Sequence, residues 1–249
     1  MRRPFIAGNW KMNMLSGEAE AFLKEFLPMV ADVKSVDIAI CPVFTILDRV
    51  SQELKGSNVH LGAQNVYWEE KGAFTGEISP PMLKDAGCRY VIIGHSERRQ
   101  YFGETNETVN KKVKAALAHG LKPIMCCGET LEERESEKTF DVIKSQVLES
   151  LKGVYADGNE DVVIAYEPVW AIGTGKTASP DQAQEVHAFI RDLLKKNFSP
   201  EIAERTVIQY GGSVKPANVA ELMSQPDIDG GLVGGASMKP DSFASLVKY

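Results

Sequence analysis

Val162-Val163-Ile164-Ala165-Tyr166-Glu167-Pro168-Val169-Trp170-Ala171-Ile172-Gly173-Thr174-Gly175-Lys176-Thr177-Ala178 is the stretch from which the rest of the chain can be read. Val162–Tyr166 carries no charge, as a strand buried on both faces should. The run stops at one carboxylate, Glu167, and an apolar loop with two glycines follows, able to move over it. Burial against Pro168, Trp170 and Ile172 would raise the pKa of that carboxylate and strengthen it as a base. A rim glutamate beside a packed loop is the plainer reading, of equal weight on this stretch alone.

The same short apolar run recurs along the chain, at Phe5–Gly8, Val36–Cys41, Val59–Ala63, Tyr90–Ile93, Pro123–Cys127, Thr206–Tyr210 and Gly231–Val233. Helical patterns alternate with these runs. Glu18–Val30 puts Phe22, Leu23, Phe26, Leu27 and Val30 on one face, with Pro28 expected to bend or end it. Thr139–Leu151 repeats the pattern with Phe140, Ile143, Val147, Leu148 and Leu151, and Asp181–Lys196 with Ala183, Val186, Ile190, Leu193 and Leu194. Strand–helix alternation implies parallel strands joined by right-handed crossovers. Eight such units in 249 residues, with no linker or composition break, favour a single closed (β/α)8 barrel over residues 1–249. An open sheet covered on both faces is the alternative, and both place chemistry at the carboxyl ends of the strands.

Composition narrows the partners. A 43% apolar and 25% charged chain is that of a water-exposed globular protein. A net charge of −6 disfavours nucleic acid or an anionic membrane, while leaving room for a small anion held by local donors. No apolar run reaches membrane-spanning length, and Met1–Ala7 is too short and polar to read as a signal peptide. Cys41, Cys88, Cys126 and Cys127 lack metal-ligand spacing and read as reduced core thiols of a cytoplasmic protein.

Taken in order, the strand ends gather polar groups and glycines on one rim. Strand one runs into Asn9-Trp10-Lys11, strand three into Gln64-Asn65, and strand four into Gly94-His95-Ser96-Glu97. Strands seven and eight end in Gly211-Gly212-Ser213 and Gly234-Gly235-Ala236-Ser237. Glycine pairs after those two strands suit a phosphate, since backbone N–H groups can approach an oxyanion closely there; tight turns are the plainer reading of each pair alone. His95 precedes Ser96, expected to cap a helix through Arg99, and a helix N-terminus disfavours a protonated ring. A neutral His95 would then donate to a substrate oxygen. His60, His119 and His187 read as structural, and one rim histidine makes a metal site improbable. Lys11, with Asn9, would face a developing negative oxygen.

Gly175-Lys176-Thr177 imitates a P-loop, but that motif needs glycine where Trp170 stands. Gly173–Ala178 likewise fits a dinucleotide fingerprint, yet the next helix opens at Ser179-Pro180-Asp181-Gln182, leaving the glycines in mid-loop.

Together, Gly8–Asn13, Gly72–Glu77, Gly94–Arg99, Ala165–Ala178, Tyr210–Val214 and Gly234–Ser237 closely resemble the triosephosphate isomerase family over the whole chain, with Met238 standing where leucine is expected. The resemblance implies the TIM barrel and the cofactor-free, metal-free interconversion of dihydroxyacetone phosphate and D-glyceraldehyde 3-phosphate. It implies Glu167 as the base, with His95, Lys11 and Asn9 stabilising an enediolate, and Glu97 and Cys126 supporting them from behind. It implies a lid over Pro168, Val169, Trp170, Ala171, Ile172, Gly173, Thr174, Gly175, Lys176, Thr177 and Ala178. Gly173 would grip phosphate beside Ser213, Gly234 and Gly235. It implies a homodimer, in which the Val66–Ile78 loop, with Phe74 and Thr75, enters a second subunit near Asn9 and Lys11. A loop folded onto its own barrel is the alternative. Two other functions compete with this one. A Schiff-base aldolase would want lysine where Glu167 stands, and a metal-dependent epimerase more rim histidines; a nucleotide-binding protein would want its glycines at a helix start.

Overall fold

Eight parallel strands close on themselves in the order β1-β2-β3-β4-β5-β6-β7-β8 in the computed structural model, which describes residues 2–155, 161–172 and 177–249. The strands are β1 (Phe5–Asn9), β2 (Asp37–Cys41), β3 (Val59–Ala63), β4 (Tyr90–Ile93), β5 (Lys122–Cys127), β6 (Val163–Tyr166), β7 (Ile208–Tyr210) and β8 (Gly230–Val233). Around them lie α1 (Ser16–Val30), α2 (Leu47–Glu53), α3 (Pro80–Asp85), α4 (Ser96–Tyr101), α5 (Asn106–Ala118) and α6 (Leu131–Glu135). The outer ring continues with α7 (Thr139–Ser150), α8 (Pro180–Asn197), α9 (Pro200–Arg205), α10 (Val219–Met223) and α11 (Pro240–Val247). The closed barrel answers the choice between barrel and open sheet: β1 pairs with β2 through Phe5↔Asp37 and with β8 through Phe5↔Gly230.

Alternation along each strand sorts side chains into two cores. Phe5, Ala7, Ala39, Cys41, Tyr90, Ile92, Ile124, Cys126, Val163, Ala165 and Leu232 fill the barrel interior, where the Phe5 and Tyr90 rings stack at 4.6 Å. Ile6, Ile38, Ile40, Ile93 and Met125 face outward under the helices. Each such side chain, taken fully out of water, contributes roughly 1.5–3 kcal/mol.

The helix faces follow the sequence pattern, with two local differences. α1 continues through Pro28 to Val30: Pro28 cannot bond the carbonyl four residues back, at exposed Lys24, and the helix ends two residues after it. Phe140 of α7 is half-exposed and packs edge-on against Phe189 of α8 at 4.7 Å. Ser179 caps α8 as its sequence suggests: its hydroxyl accepts from Gln182 N–H, and its own N–H donates to the Gln182 side chain. All four cysteines are free and buried. Among the described residues no helix is long and apolar enough to cross a membrane.

Candidate active site

A cavity of about 420 Å³ opens at the carboxyl ends of the strands and is lined by Asn9, Lys11, His95, Glu167, Ser213, Gly234 and Gly235. These residues come from β1, β4, β6, β7 and β8 and their following loops, so the barrel assembles what the chain scatters over more than 220 positions. Ala171 and Ile172 bring the first part of the 168–178 loop to the same cavity. Gly173, Thr174, Gly175 and Lys176 lie outside the described residues. Val214, Ala236 and Met238, which belong to or adjoin the motifs quoted above, also line it, as do Leu232 and Lys215, to which the sequence reading gave no place in the site. Lys215 had a signal in standing two residues beyond Ser213. Among the described residues no three His, Cys, Asp or Glu side chains converge in a way that would hold a metal ion.

The β1 end sets the cation. Trp10 is fully buried and its Nε1 donates to the Ser237 carbonyl at 3.1 Å, pinning the loop to the β8 side. Asn9 Oδ1 then accepts the Lys11 N–H at 3.0 Å, and Lys11 takes φ = 52°. This tight turn returns the lysine to the rim, where Nζ pairs with Glu97 Oε1 at 2.6 Å.

The β4 end sets the imidazole. His95, and not Ser96, is the N-cap of α4: its Nδ1 accepts the Glu97 N–H at 3.2 Å. A ring nitrogen thus does the work usually assigned to a serine hydroxyl. Accepting at Nδ1 leaves the proton of a neutral ring on Nε2, which faces Glu167 Oε1 at 2.8 Å.

The β6 end sets the carboxylate. Glu167 is 2% exposed; its N–H donates to Cys127 C=O at 2.7 Å, and its Oε2 accepts the Ser96 N–H at 2.9 Å. Burial raises its pKa, as the sequence suggested, but the His95 ring and the Ser96 N–H outweigh burial and hold Glu167 below its ordinary value. The expectation of a raised pKa is therefore corrected for this geometry. For His95, burial disfavours charge while the neighbouring Glu167 favours it, and the balance lies above the ordinary imidazole value while the two remain in contact. Cys126 lies fully buried behind this pair, its thiol pushed up by burial and by the charge of Glu167.

The loop after Glu167 has its own anchor. Val169–Ala171 forms one 3-10 turn, and Trp170 Nε1 donates to Glu129 Oε1 at 2.8 Å. Tyr166 OH and Arg134 Nη1 reach the same oxygen, each at 3.1 Å. The remaining histidines do not line the cavity: His60 meets Arg89, His119 meets Glu70, and His187 is fully buried with Nδ1 on the Asp227 carbonyl.

A carboxylate, an imidazole and an ammonium sharing a barrel mouth with two glycine turns define a (β/α)8 enzyme. A sequence model of the triosephosphate isomerase family matches residues 4–249. The triosephosphate isomerase of Carboxydothermus hydrogenoformans is 60% identical over 248 residues, covering 100% of this chain and 99% of its own. Those of Endomicrobium trichonymphae and Geobacter metallireducens are 59% and 58% identical over 249 residues, with the same coverage. The chain belongs to the triosephosphate isomerase family, and is an isomerase.

Proposed function

We propose that Glu167 carries the proton as D-glyceraldehyde 3-phosphate and dihydroxyacetone phosphate interconvert through an enediolate, the reaction of this family in glycolysis and gluconeogenesis. The observation that carries the proposal is the 2.8 Å contact of Glu167 with His95 Nε2 inside the cavity that also holds Lys11 and the Gly234-Gly235 turn.

In that contact Glu167 is a weakened base, so the reaction begins with its departure from His95 and Ser96 toward substrate carbon. Its basicity rises as those two donors are left behind. The same movement removes the larger of the two charges that favour a second proton on His95, leaving the Glu97 carboxylate 3.6 Å from Nδ1. Burial, Lys11 and the Glu97 N–H oppose that proton, and a neutral ring donates Nε2–H to the substrate oxygen. Lys11 faces the negative oxygen, Asn9 fixes the turn that aims it, and Glu97 holds its Nζ. Glu167 takes the proton from the carbon beside the carbonyl and returns it to the neighbouring carbon. Cys126 packs behind it.

The phosphate lies on backbone N–H groups about Ser213, Gly234 and Gly235, joined by Gly173 of the lid. Residues 168–178 close over it and exclude water, in which an enediolate phosphate loses its phosphate. Phosphate binding drives the closure, so a substrate without phosphate loses turnover as well as affinity. Neither cofactor nor metal takes part.

Residues 1–249 act as one catalytic domain of a cytoplasmic homodimer. Met12, Leu15 and Phe102 are 93%, 75% and 66% exposed, a large apolar area for an isolated chain. Phe74, beside exposed Thr75 and with its ring tilted against Tyr67 at 4.8 Å, stands at the tip of the loop proposed to enter the partner. Purified protein should convert glyceraldehyde phosphate to dihydroxyacetone phosphate with chelator present and no nucleotide added; no conversion refutes the proposal. Sedimentation at low micromolar concentration should give a dimer, and a single species at the 27.3 kDa of one chain refutes that part.

A further inference from the structure

His95 is entered through Gly94, and Gly94 has φ = 73°, in the left-handed region. A Cβ there would lie 2.8 Å from Val109 Cγ2, so the backbone has neither a side chain nor a common conformation to hold its course. The orientation must come from outside, and two charged groups meet the flanking peptides. The Gly94 N–H donates to Glu104 Oε2 at 3.1 Å. The Gly94 C=O accepts from Arg99 Nε at 2.9 Å. Fixing the peptide on each side of one Cα fixes both its dihedrals, and hence the direction in which the chain reaches His95.

Each group is itself held. Glu104 Oε1 accepts from Arg98 Nε and Lys112 Nζ, both at 2.5 Å, and Lys112 Nζ reaches Asn65 Oδ1 at 2.8 Å. Arg99 Nη2 also donates to the Cys126 C=O at 3.3 Å, and Nη1 to Asn106 Oδ1 at 2.7 Å. The backbone N–H groups of Arg98 and Arg99 both donate to the His95 C=O, at 2.8 and 3.0 Å. Arg99 therefore touches the carbonyls on both sides of the histidine, one through its side chain and one through its backbone. Glu104 and its lysine are almost entirely buried, where a charge-assisted network is stiff and a loosened member costly.

We infer that Arg99 and Glu104 are positioning residues for His95: they clamp the Gly94 peptides from opposite sides and aim the imidazole Nε2 at the substrate oxygen. The inference rests on the role proposed for His95 above. Neither residue touches substrate; each acts through the histidine. Arg99→Lys keeps the charge but loses the planar fork that serves Gly94, Cys126 and Asn106 together. Glu104→Gln keeps the shape but offers one acceptor oxygen in place of two.

The test is a set of double-mutant cycles on the full-length enzyme. Arg99→Lys and Glu104→Gln are measured alone and in the His95→Gln background, with kcat and KM from triose phosphate turnover and folding from near-UV circular dichroism. A displacement of a few tenths of an ångström should lower kcat roughly tenfold, with KM within about twofold. Once His95 is Gln, the further loss from either substitution should shrink to about twofold or less, because the group being aimed is gone. A loss of equal size in both backgrounds, native kcat in both single variants, or failure of both to fold would overturn the inference and leave the two residues a structural role. His95→Gln turnover equal to native would instead overturn the role of His95 itself, so the two failures are distinguishable.

Discussion

Gly211→Ala offers a direct trial of the carboxylate's placement. A Cβ at Gly211 would lie 2.8 Å from Glu167 Cγ, 3.2 Å from Tyr166 O and 3.6 Å from Glu167 Cα. Unstrained carbon contacts need about 3.5 Å, so something must yield by roughly 0.7 Å. The Gly211 backbone is tied, its N–H donating to Tyr166 C=O at 2.7 Å, and the longer Glu167 side chain is the part free to move. That movement takes the carboxylate off its 2.8 and 2.9 Å contacts with His95 and Ser96. A misplacement near 1 Å costs up to ~10²-fold, so kcat should fall by about 10- to 100-fold, or roughly 1.4–2.7 kcal/mol in barrier. KM should change by no more than about threefold, since the Gly234-Gly235 turn proposed to hold the phosphate is untouched. Overpacking should also cost about 1–3 kcal/mol of stability, visible in a thermal scan. Gly235→Ala is the control: nothing lies within 4 Å of its added Cβ, and its unfolding midpoint should match native. Native kcat in folded Gly211→Ala would refute the reasoning, as would a change confined to KM.

Glu167→Asp should lower kcat by ~10²-fold with little change in KM, because the base retreats by one methylene; native turnover would remove Glu167 from the role of base. Lys215, exposed and lining the cavity, should draw an anionic substrate to a chain of net charge −6. Lys215→Met should reduce kcat/KM a few-fold at low salt and flatten its dependence on ionic strength; an unchanged salt dependence refutes this. Burial pushes the pKa of His187 down to about 3. Between the ordinary imidazole pKa of about 6.5 and pH 3 the unfolded chain therefore holds a proton that the native ring lacks, and stability falls as pH falls through that window. His187→Gln should remove about 1.4 kcal/mol per pH unit from the slope there, and denaturant titrations showing the native slope would refute it.

The parts of the fold legible in the chain were those that burial writes into composition. Val59–Ala63 and Tyr90–Ile93 fall where the apolar runs place them, since a strand covered on both faces admits little else. Thr206–Tyr210 shortens to Ile208–Tyr210 because Thr206 ends α9, its N–H and hydroxyl both donating to Ile202 C=O. The capping of α4 by His95 escaped notice because the acceptor is a ring nitrogen, outside the hydroxyl and carboxamide groups by which caps are recognised. The lowered pKa of Glu167 could not be read from Tyr166-Glu167-Pro168 at all. It depends on Ser96, 71 positions away, and on the ring beside it. Periodicity reports what a segment buries; it is silent on which partner a buried charge meets.

A ring of strands has a seam, and here it joins β1 to β8. Phe5 lies beside Gly230, and Trp10 reaches Ser237 across a sequence separation of 227. Closing a loop of that length costs about 5 kcal/mol of chain entropy before any contact across it forms. During refolding the barrel must therefore pass through an unclosed sheet with two bare edges, each able to pair with another molecule. Recovery from denaturant is thus a race between ring closure within one chain and edge pairing between two, and dilution favours the ring.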